Sequence, residues 1–597
     1  MKSARLFVCL LAACSHATAP AEPAAAPPPA PAASPAASPA PAAGREVTLS
    51  IIGTNDLHGA LERLPLFGGF VANLRAARAA DGGGVVLVDG GDMFQGTLES
   101  NLGEGADVVR AYNALGYAAV AVGNHEFDYG PAGPAATPTS PTDDPRGALK
   151  ARASEARFPF VVSNIADAAT GARIAWPNMP AATLVEVAGV KVGIVGASTE
   201  ATPHTTMAAN FAGLQMMPAA PAIAEQAREL RGRGAQVVIA AMHIGSRCKD
   251  FDKPDDSSSC DKADEVFQLL GALAPGTLDV IVAGHTHAGM AHRIAGVAVI
   301  ESFSSGRAFG RVDLRIGRDG RVAGVEIARP HRMCALDKDG TPVAVAACDP
   351  GSYEGKPVVA DPAVQQIVDE ALARAAQRRG EPLGVTLRQT VNVAYGSESA
   401  EGNLFCDLML AARPEAQVAM TNGGGLRATL PAGALTYGQL FEAMPFDNRF
   451  AIIELSGADL RKLVTSNLER GGGILSWGGL TAKARCTRAG LEAEIRVGGK
   501  PLRSTAHYKL ATSDFLASGG DGVIAKLGLP EGAIHVTDAI IRDAMADVLR
   551  GWKGSAKASI DAQRLYSATA PRLDYEGTRP VTCDPNHGSA TSKERAP

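Results

Sequence analysis

From Glu46 onward the chain alternates short apolar runs with polar, glycine-rich breaks, a pattern that predicts interleaved helices and strands in an α/β fold. Runs at 47–52, 85–88, 119–122, 237–241 and 280–283 read as buried strands. The clearest boundary lies between Pro330 and Glu381. Inside it, Asp361-Pro362 reads as a helix start, with a capping carboxylate followed by proline at the first helical position. Val364, Ile367, Val368, Ala371, Leu372 and Ala375 then mark one helical face and Gly380 a stop, so 361–380 is expected to be an interdomain helix. A second α/β block follows over 384–565, the sequence past Tyr566 looks irregular to its end at Pro597, and no internal repeat is evident.

Length changes this picture little: 597 residues suit two to four domains. At 46% hydrophobic and 20% charged, the composition excludes a small disulfide scaffold, a coiled coil and a wholly disordered chain. The net charge of -5 supplies no basic field, so no nucleic-acid polymer is expected as a partner. Residues 1–14 read as an export signal, with Lys2 and Arg5 ahead of an apolar run over 6–13. The sequence Leu11-Ala12-Ala13-Cys14 resembles a bacterial lipobox, which would place a lipid on Cys14; a plain signal with an incidental cysteine fits the same residues. The run is too short to span a bilayer, so membrane association is expected only through the anchor. Residues 15–45 are rich in Ala, Pro and Ser and suit an extended tether. Beyond the signal lie Cys248, Cys260, Cys334, Cys348, Cys406, Cys486 and Cys583, an odd set that leaves at least one unpaired. Cys248/Cys260 and Cys334/Cys348 are natural local pairs, which suits an oxidising compartment, the periplasm or the cell surface.

The candidate chemistry sits where the strand-like runs of the first block end. They lead in turn to Asn55-Asp56-Leu57-His58-Gly59, to Asp89-Gly90-Gly91-Asp92, to Gly123-Asn124-His125-Glu126-Phe127-Asp128, to His243 and to Gly284-His285-Thr286-His287. In layered α/β folds, sites gather outside the carboxyl ends of strands, so five such ends would bring distant groups together. Taken singly, Asp56-x-His58 is an ordinary surface pattern and His243 an ordinary core histidine. Two polar side chains straight after a buried strand, as in Gly-Asn-His-Glu and Gly-His-Thr-His, need a reason. Together the set supplies carboxylates, an amide and imidazoles without a thiolate, which suits manganese, zinc, iron or similar ions rather than a structural zinc site. Asp89 fits a turn aspartate as well as a residue backing the ligands, and His204, His292 and His331 are read as structural.

These blocks resemble the signatures of the calcineurin-like metallophosphoesterases, most closely the bacterial periplasmic 5′-nucleotidase/UDP-sugar hydrolase family, over about 46–565. The resemblance implies a four-layer sandwich of helices flanking two mixed sheets over 46–335, a linker with the interdomain helix over 336–383, and a C-terminal α/β nucleotide-binding domain over 384–565. It implies two divalent ions, manganese, zinc, cobalt, iron or calcium. Asp56, His58 and His287 would hold one, Asn124, His243 and His285 the other, and Asp92 would bridge them. His125 would be catalytic, with Asp128 orienting it, and an activated water would attack phosphorus in line.

In the second block, the run 418–420 leads into Asn422-Gly423-Gly424-Gly425-Leu426-Arg427, a glycine turn with a guanidinium that suits either an anion or an ordinary loop. Phe446 and Phe515 stand in Gly/Pro-rich settings, where a phenylalanine usually anchors its own loop. The resemblance instead implies that Phe446 and Phe515 sandwich a base while Asn422, Arg427 and Asp521 contact the nucleoside, and that this domain rotates about the interdomain helix. One departure stands out: the family's arginines upstream of Asn403 are replaced by an acidic stretch with Glu398 and Glu401, expected to repel a phosphate. The reading is an exported hydrolase of nucleoside 5′-monophosphates, with UDP-sugars as further candidates. The alternatives are a 2′,3′-cyclic phosphodiesterase/3′-nucleotidase, a sulfur-ester hydrolase of the same superfamily, or a non-catalytic nucleotide-binding surface lipoprotein.

Overall fold

The structure, a computed structural model, describes residues 45–133, 135–335, 343–530, 532–584 and 590–591. The expected signal, Cys14 and the tether up to Gly44 lie outside the described residues. Two six-stranded mixed sheets form the first block. One runs in the order Val322–Arg332, Ala308–Ile316, Val47–Thr54, Gly84–Asp89, Ala119–Ala121, Phe160–Val161, with the last four strands parallel. The other runs Gly289–Ile294, Val297–Ser302, Val280–Val282, Val237–His243, Val190–Ser198, Ala182–Val187, parallel across its middle four.

Period-two alternation explains how the sheets stack. Leu49, Ile51, Val86 and Val88 point one way, into a shared core with Val192, Ile194, Ile239 and Val282 of the second sheet. Ile52, Leu87 and Val120 point the other way, onto helices Leu64–Asp81 and Ala106–Leu115. Val195, Val238 and Ile281 cover the far face beneath helices Ala219–Gly232 and Glu265–Ala272. The result is four layers, helix, sheet, sheet, helix, as the resemblance implies.

Helix Pro362–Arg379 forms where the sequence predicts it, with the Asp361 carboxylate accepting from the amides of Ala363 and Val364. Val364, Val368 and Ala371 bury in the core of the first block and Ala375 in that of the second, so one helix belongs to both. Beyond it a five-stranded sheet, ordered Leu475–Gly478, Val418–Asn422, His507–Ser513, Arg449–Ser456, Ile534–Ile540, carries the glycine turn at one strand end. The segment past Tyr566 is not irregular throughout: Leu573–Tyr575 pairs in parallel with Leu480–Thr487. The local disulfides Cys248–Cys260 and Cys334–Cys348 are present. A third joins Cys486 to Cys583, 97 residues apart, and Cys406 is free and buried. Among the described residues no helix is long and apolar enough to cross a membrane.

Candidate metal centre and substrate cleft

The five strand ends do converge. Asp56, His58 and His287 form one group of potential ligand atoms within 4.8 Å of one another, and Asp92, His243 and His285 form a second. Asp92 lies between them: its Oδ2 is 2.9 Å from His243 Nε2 and 3.9 Å from His58 Nε2. Asp56 Oδ1 is 3.3 Å from His287 Nε2 and 3.8 Å from His58 Nε2. Asn124 belongs with them by chemistry. Its Nδ2 donates to the Thr205 carbonyl at 3.0 Å, while its Oδ1 is buried with no partner, as an oxygen reserved for a cation would be.

The backbone is strained in a consistent way. Asp56, His58, Asp92, His285 and His287 all have positive φ, between 49° and 82°. For residues with a Cβ this is costly, and such strain gathers at functional sites. Space is equally tight: a Cβ on Gly123 would lie 2.2 Å from Asp92 Oδ1, so only glycine fits beside that carboxylate.

Three of the ligand candidates are aimed by neighbours. His58 Nδ1 donates to the Gln95 carbonyl at 2.8 Å and His243 Nδ1 to the Gly90 carbonyl at 2.9 Å, which turns both Nε2 atoms toward the other ligand candidates. Asn55 Nδ2 donates to Asp56 Oδ2 at 2.7 Å. Burial pushes the Asp56 and Asp92 carboxyls up, but the surrounding imidazoles, His287 at Asp56 and His243 at Asp92, outweigh it and hold both well below the usual range. Two ionised, buried carboxylates framed by imidazoles and one free amide oxygen fit divalent cations of mixed oxygen and nitrogen preference.

Three further buried carboxylates brace the floor. Asp89 accepts from Thr54 Oγ1 at 2.6 Å, Gly91 N at 2.8 Å and Tyr112 Oη at 2.9 Å, and burial lifts its carboxyl to about 7. It backs the ligands rather than joining them. Glu126 accepts from the amides of Asp92, Met93 and Gly123, and burial, then the charge of Asp92, lifts it to about 8. Glu301 accepts from Ser246 N, Thr286 N and Thr286 Oγ1 and so shapes the loop carrying His285 and His287. Sequence reasoning missed both glutamates. Glu126 was legible as the fourth residue of Gly-Asn-His-Glu; Glu301 had no local signal, being one polar residue inside the strand Val297–Ser302.

His125 is placed apart from the ligand groups. Its Nδ1 is 2.5 Å from Asp128 Oδ2, and Thr206 Oγ1 holds the other Asp128 oxygen at 2.9 Å. With Nδ1–H given to the carboxylate, Nε2 faces the cleft and accepts from Arg427 Nη2 at 2.9 Å. That contact joins the two blocks. The Phe446 ring lies 5.4 Å from the His125 ring, with the Arg427 guanidinium 5.2 Å from it.

Asn422 Nδ2 donates to Asp521 Oδ2 at 2.8 Å. Phe515 shares the same turn, its ring so close to Gly520 that a Cβ there would approach it to 2.5 Å. The acidic stretch does not behave as expected. Glu398 turns away to accept from Asn403 Nδ2 and the amides of Arg572 and Leu573. Glu401 is fully buried at the start of helix Ala400–Ala412. Neither carboxylate faces Arg427 or Asp521 by any hydrogen bond, and the repulsion predicted from sequence is corrected accordingly. Upstream of the two glutamates Tyr395 is exposed and lies against Gly424 and Gly473.

Known proteins share the sequence blocks and the overall fold. Residues 49–289 match the calcineurin-like phosphoesterase family and 379–527 the 5′-nucleotidase C-terminal domain. The chain is 26% identical to protein UshA of Yersinia enterocolitica over 520 residues, covering 79% of this chain and 86% of that protein. Its fold superposes on the 5′-nucleotidase precursor of Thermus thermophilus with a TM-score of 0.67 at 23% identity, covering 88% and 99% of the two chains. It also superposes on the sulfate thiohydrolase SoxB of the same organism with a TM-score of 0.64 at 18% identity, covering 90% and 98%. The chain belongs to the calcineurin-like phosphoesterases that carry a 5′-nucleotidase C-terminal domain, a family of metal-dependent phosphoester hydrolases.

Proposed function

We propose that the protein releases phosphate from nucleoside 5′-monophosphates outside the cytoplasm. The observation that carries this reading is the contact of Arg427 and Phe446 with His125: an anion fork and an aromatic face meet the histidine whose Nε2 is 4.0 Å from Asp92 Oδ2. In this reading residues 46–335 supply the chemistry and 384–565 hold the nucleoside. Asp56, His58 and His287 hold one divalent ion, Asn124, His243 and His285 the other, and Asp92 serves both. When bound, such a pair acidifies a water and neutralises charge building on a phosphoryl group.

The chain's own residues do the rest. Asp128 keeps the proton on His125 Nδ1, so that Nε2 is presented to the phosphoryl oxygens or the leaving oxygen. Arg427 adds a fixed positive charge on the same side. Phe446 and Phe515 stack the base, and Asn422 and Asp521 meet the nucleoside's polar edge. Three disulfides support an oxidising compartment, and anchoring through Cys14 at the periplasmic or outer surface completes the proposal.

The test is phosphate release from AMP, UDP-glucose, 2′,3′-cyclic AMP and p-nitrophenyl phosphate, each with manganese, cobalt, zinc or calcium. AMP should give the highest kcat/KM, with two metal equivalents per chain. Preference for the cyclic nucleotide, or turnover of none of the nucleotides, would overturn the reading.

A further inference from the structure

The segment 566–584 lies beyond the residues that match the C-terminal domain, yet it is fastened to the substrate cleft. Leu573–Tyr575 extends a sheet, Arg572 grips Asp407 with two bonds of 2.8 and 2.7 Å, and Cys583 is tied to Cys486. Between these anchors stands Arg579. Its guanidinium donates to five carbonyls: Asn467, Arg470, Gly472, Gly473 and Gly396, at 2.7 to 3.2 Å.

Those carbonyls belong to two segments with little stiffness of their own. Arg470-Gly471-Gly472-Gly473 closes the end of helix Gly457–Leu468, and Gly396 follows Tyr395. The clamped loop reaches the cleft in two ways. The Ile474 carbonyl accepts from the Gly423 amide at 2.8 Å, which sets the glycine turn leading to Arg427. Arg470 Nη1 donates to the Asp521 carbonyl at 2.7 Å. Asp521 has a φ of 54°, a conformation a non-glycine residue keeps only when held, and its carboxylate is the one bonded to Asn422.

We infer that Arg579 is a positioning residue for the nucleoside site: it fixes the 467–473 loop, through which Arg470 holds Asp521 in place. The inference rests on the nucleotide reading above. A lysine cannot replace it, because one ammonium lacks the planar five-donor fork that meets five carbonyls at once.

The test uses the full, metal-loaded chain, with kcat and KM measured on AMP and on p-nitrophenyl phosphate, which has no nucleoside. Arg579→Ala should raise KM for AMP about tenfold, the size of one lost charge-assisted hydrogen bond. Values for p-nitrophenyl phosphate should stay within about twofold, and Arg579→Lys should behave like the alanine variant. Arg470→Ala should raise KM for AMP by a similar factor, and added to Arg579→Ala it should change little more, since the two act in series. If Arg579→Ala does not fold, Arg470→Ala alone decides. An unchanged KM for AMP, a parallel loss on both substrates, additive effects, or full rescue by lysine would each overturn the inference. A wild type inactive on AMP but active on the aryl ester would bring down the nucleotide reading with it, whereas an AMP-hydrolysing wild type with indifferent variants would refute this inference alone.

Discussion

The two halves of the cleft are built on opposite plans. On the first block every candidate ligand follows a strand or lies within a few residues of its end, five carry left-handed backbone, and His58, His243 and Asp56 are each backed by a neighbouring donor or acceptor. On the second block Arg427, Phe515 and Asp521 lie on or beside glycine turns, and part of their order comes from residues distant in the chain, from Arg470, Arg579 and a disulfide-tied segment. The difference matches the tolerances. Ligands around cations must hold their places to within about half an ångström, and a packed sheet edge provides that. A nucleoside is met by stacking and a few hydrogen bonds, which tolerate a looser support. Damage to the first block should therefore abolish chemistry, and damage to the second should change which substrates are used.

Asp92 is where that contrast breaks most visibly. Its carboxylate stands between both ligand groups and also accepts from the His125 amide at 2.8 Å. Asp92→Ala should lose metal from both positions and reduce kcat/KM by about 10³-fold or more on every substrate, AMP and p-nitrophenyl phosphate alike. Metal content measured by elemental analysis, alongside both activities, decides. Retention of both metal equivalents would mean that the carboxylate is not shared.

His125→Ala separates chemistry from ligation within the same block. The side chain is bonded to Asp128 and Arg427 and stands outside both ligand groups, so the variant should keep its metal and lose about 10²- to 10⁴-fold in kcat. Asp128→Asn should fall partway, because it releases the ring without removing it. If His125→Ala purified with half the wild-type metal, the residue would be a ligand.

Crossing to the second block, Phe446→Ala and Phe515→Ala should raise KM for AMP roughly tenfold to a hundredfold, the effect of about 1–3 kcal/mol of stacking per base. Turnover of p-nitrophenyl phosphate should fall much less. The two substitutions need not be equal, since Phe446 also lies against His125 while Phe515 packs on its own turn at Gly520. AMP kinetics identical to wild type in both variants would remove the base sandwich from the proposal.

Sequence legibility followed the same divide. The candidate ligands stand out in the sequence because each is a polar residue forced next to a buried strand, as at Asn124 after 119–122 or His285 after 280–283, and local pattern records that conflict. Helix Pro362–Arg379 was legible for a similar reason, its cap, proline and apolar face all being local. Glu301, Arg470 and Arg579 were not. Each acts through carbonyls or amides far away in the chain: Arg579 reaches back 112 residues to Asn467 and 183 to Gly396. Nothing near an isolated arginine in a polar tail signals such partners. Glu398 and Glu401 misled for the converse reason, since a charge read from sequence carries no direction and both side chains point inward.

Those two glutamates give the smallest test, and it again sets one kind of support against another. The buried carboxylates under the metal centre each receive several donors, whereas both oxygens of Glu401 are buried without one. Burial alone lifts its carboxyl from 4.5 to about 9, so it stays protonated in the folded chain and ionises on unfolding. The sign follows: stability linked to Glu401 is intact below about pH 4.5 and is lost progressively as pH rises toward 9, on the order of 1 kcal/mol per pH unit. Glu401→Gln should remove that slope, read as the difference between variant and wild type in denaturant midpoint across pH 5 to 8 with metal held saturating. Glu398→Gln makes the counterpart: it disturbs a carboxylate that accepts from Asn403, Arg572 and Leu573, and should cost about 1–3 kcal/mol through those bonds while loosening the segment that carries Arg579. Parallel pH curves for wild type and Glu401→Gln would show that the carboxylate finds a partner or water, and that the second block is no less thoroughly satisfied inside than the first.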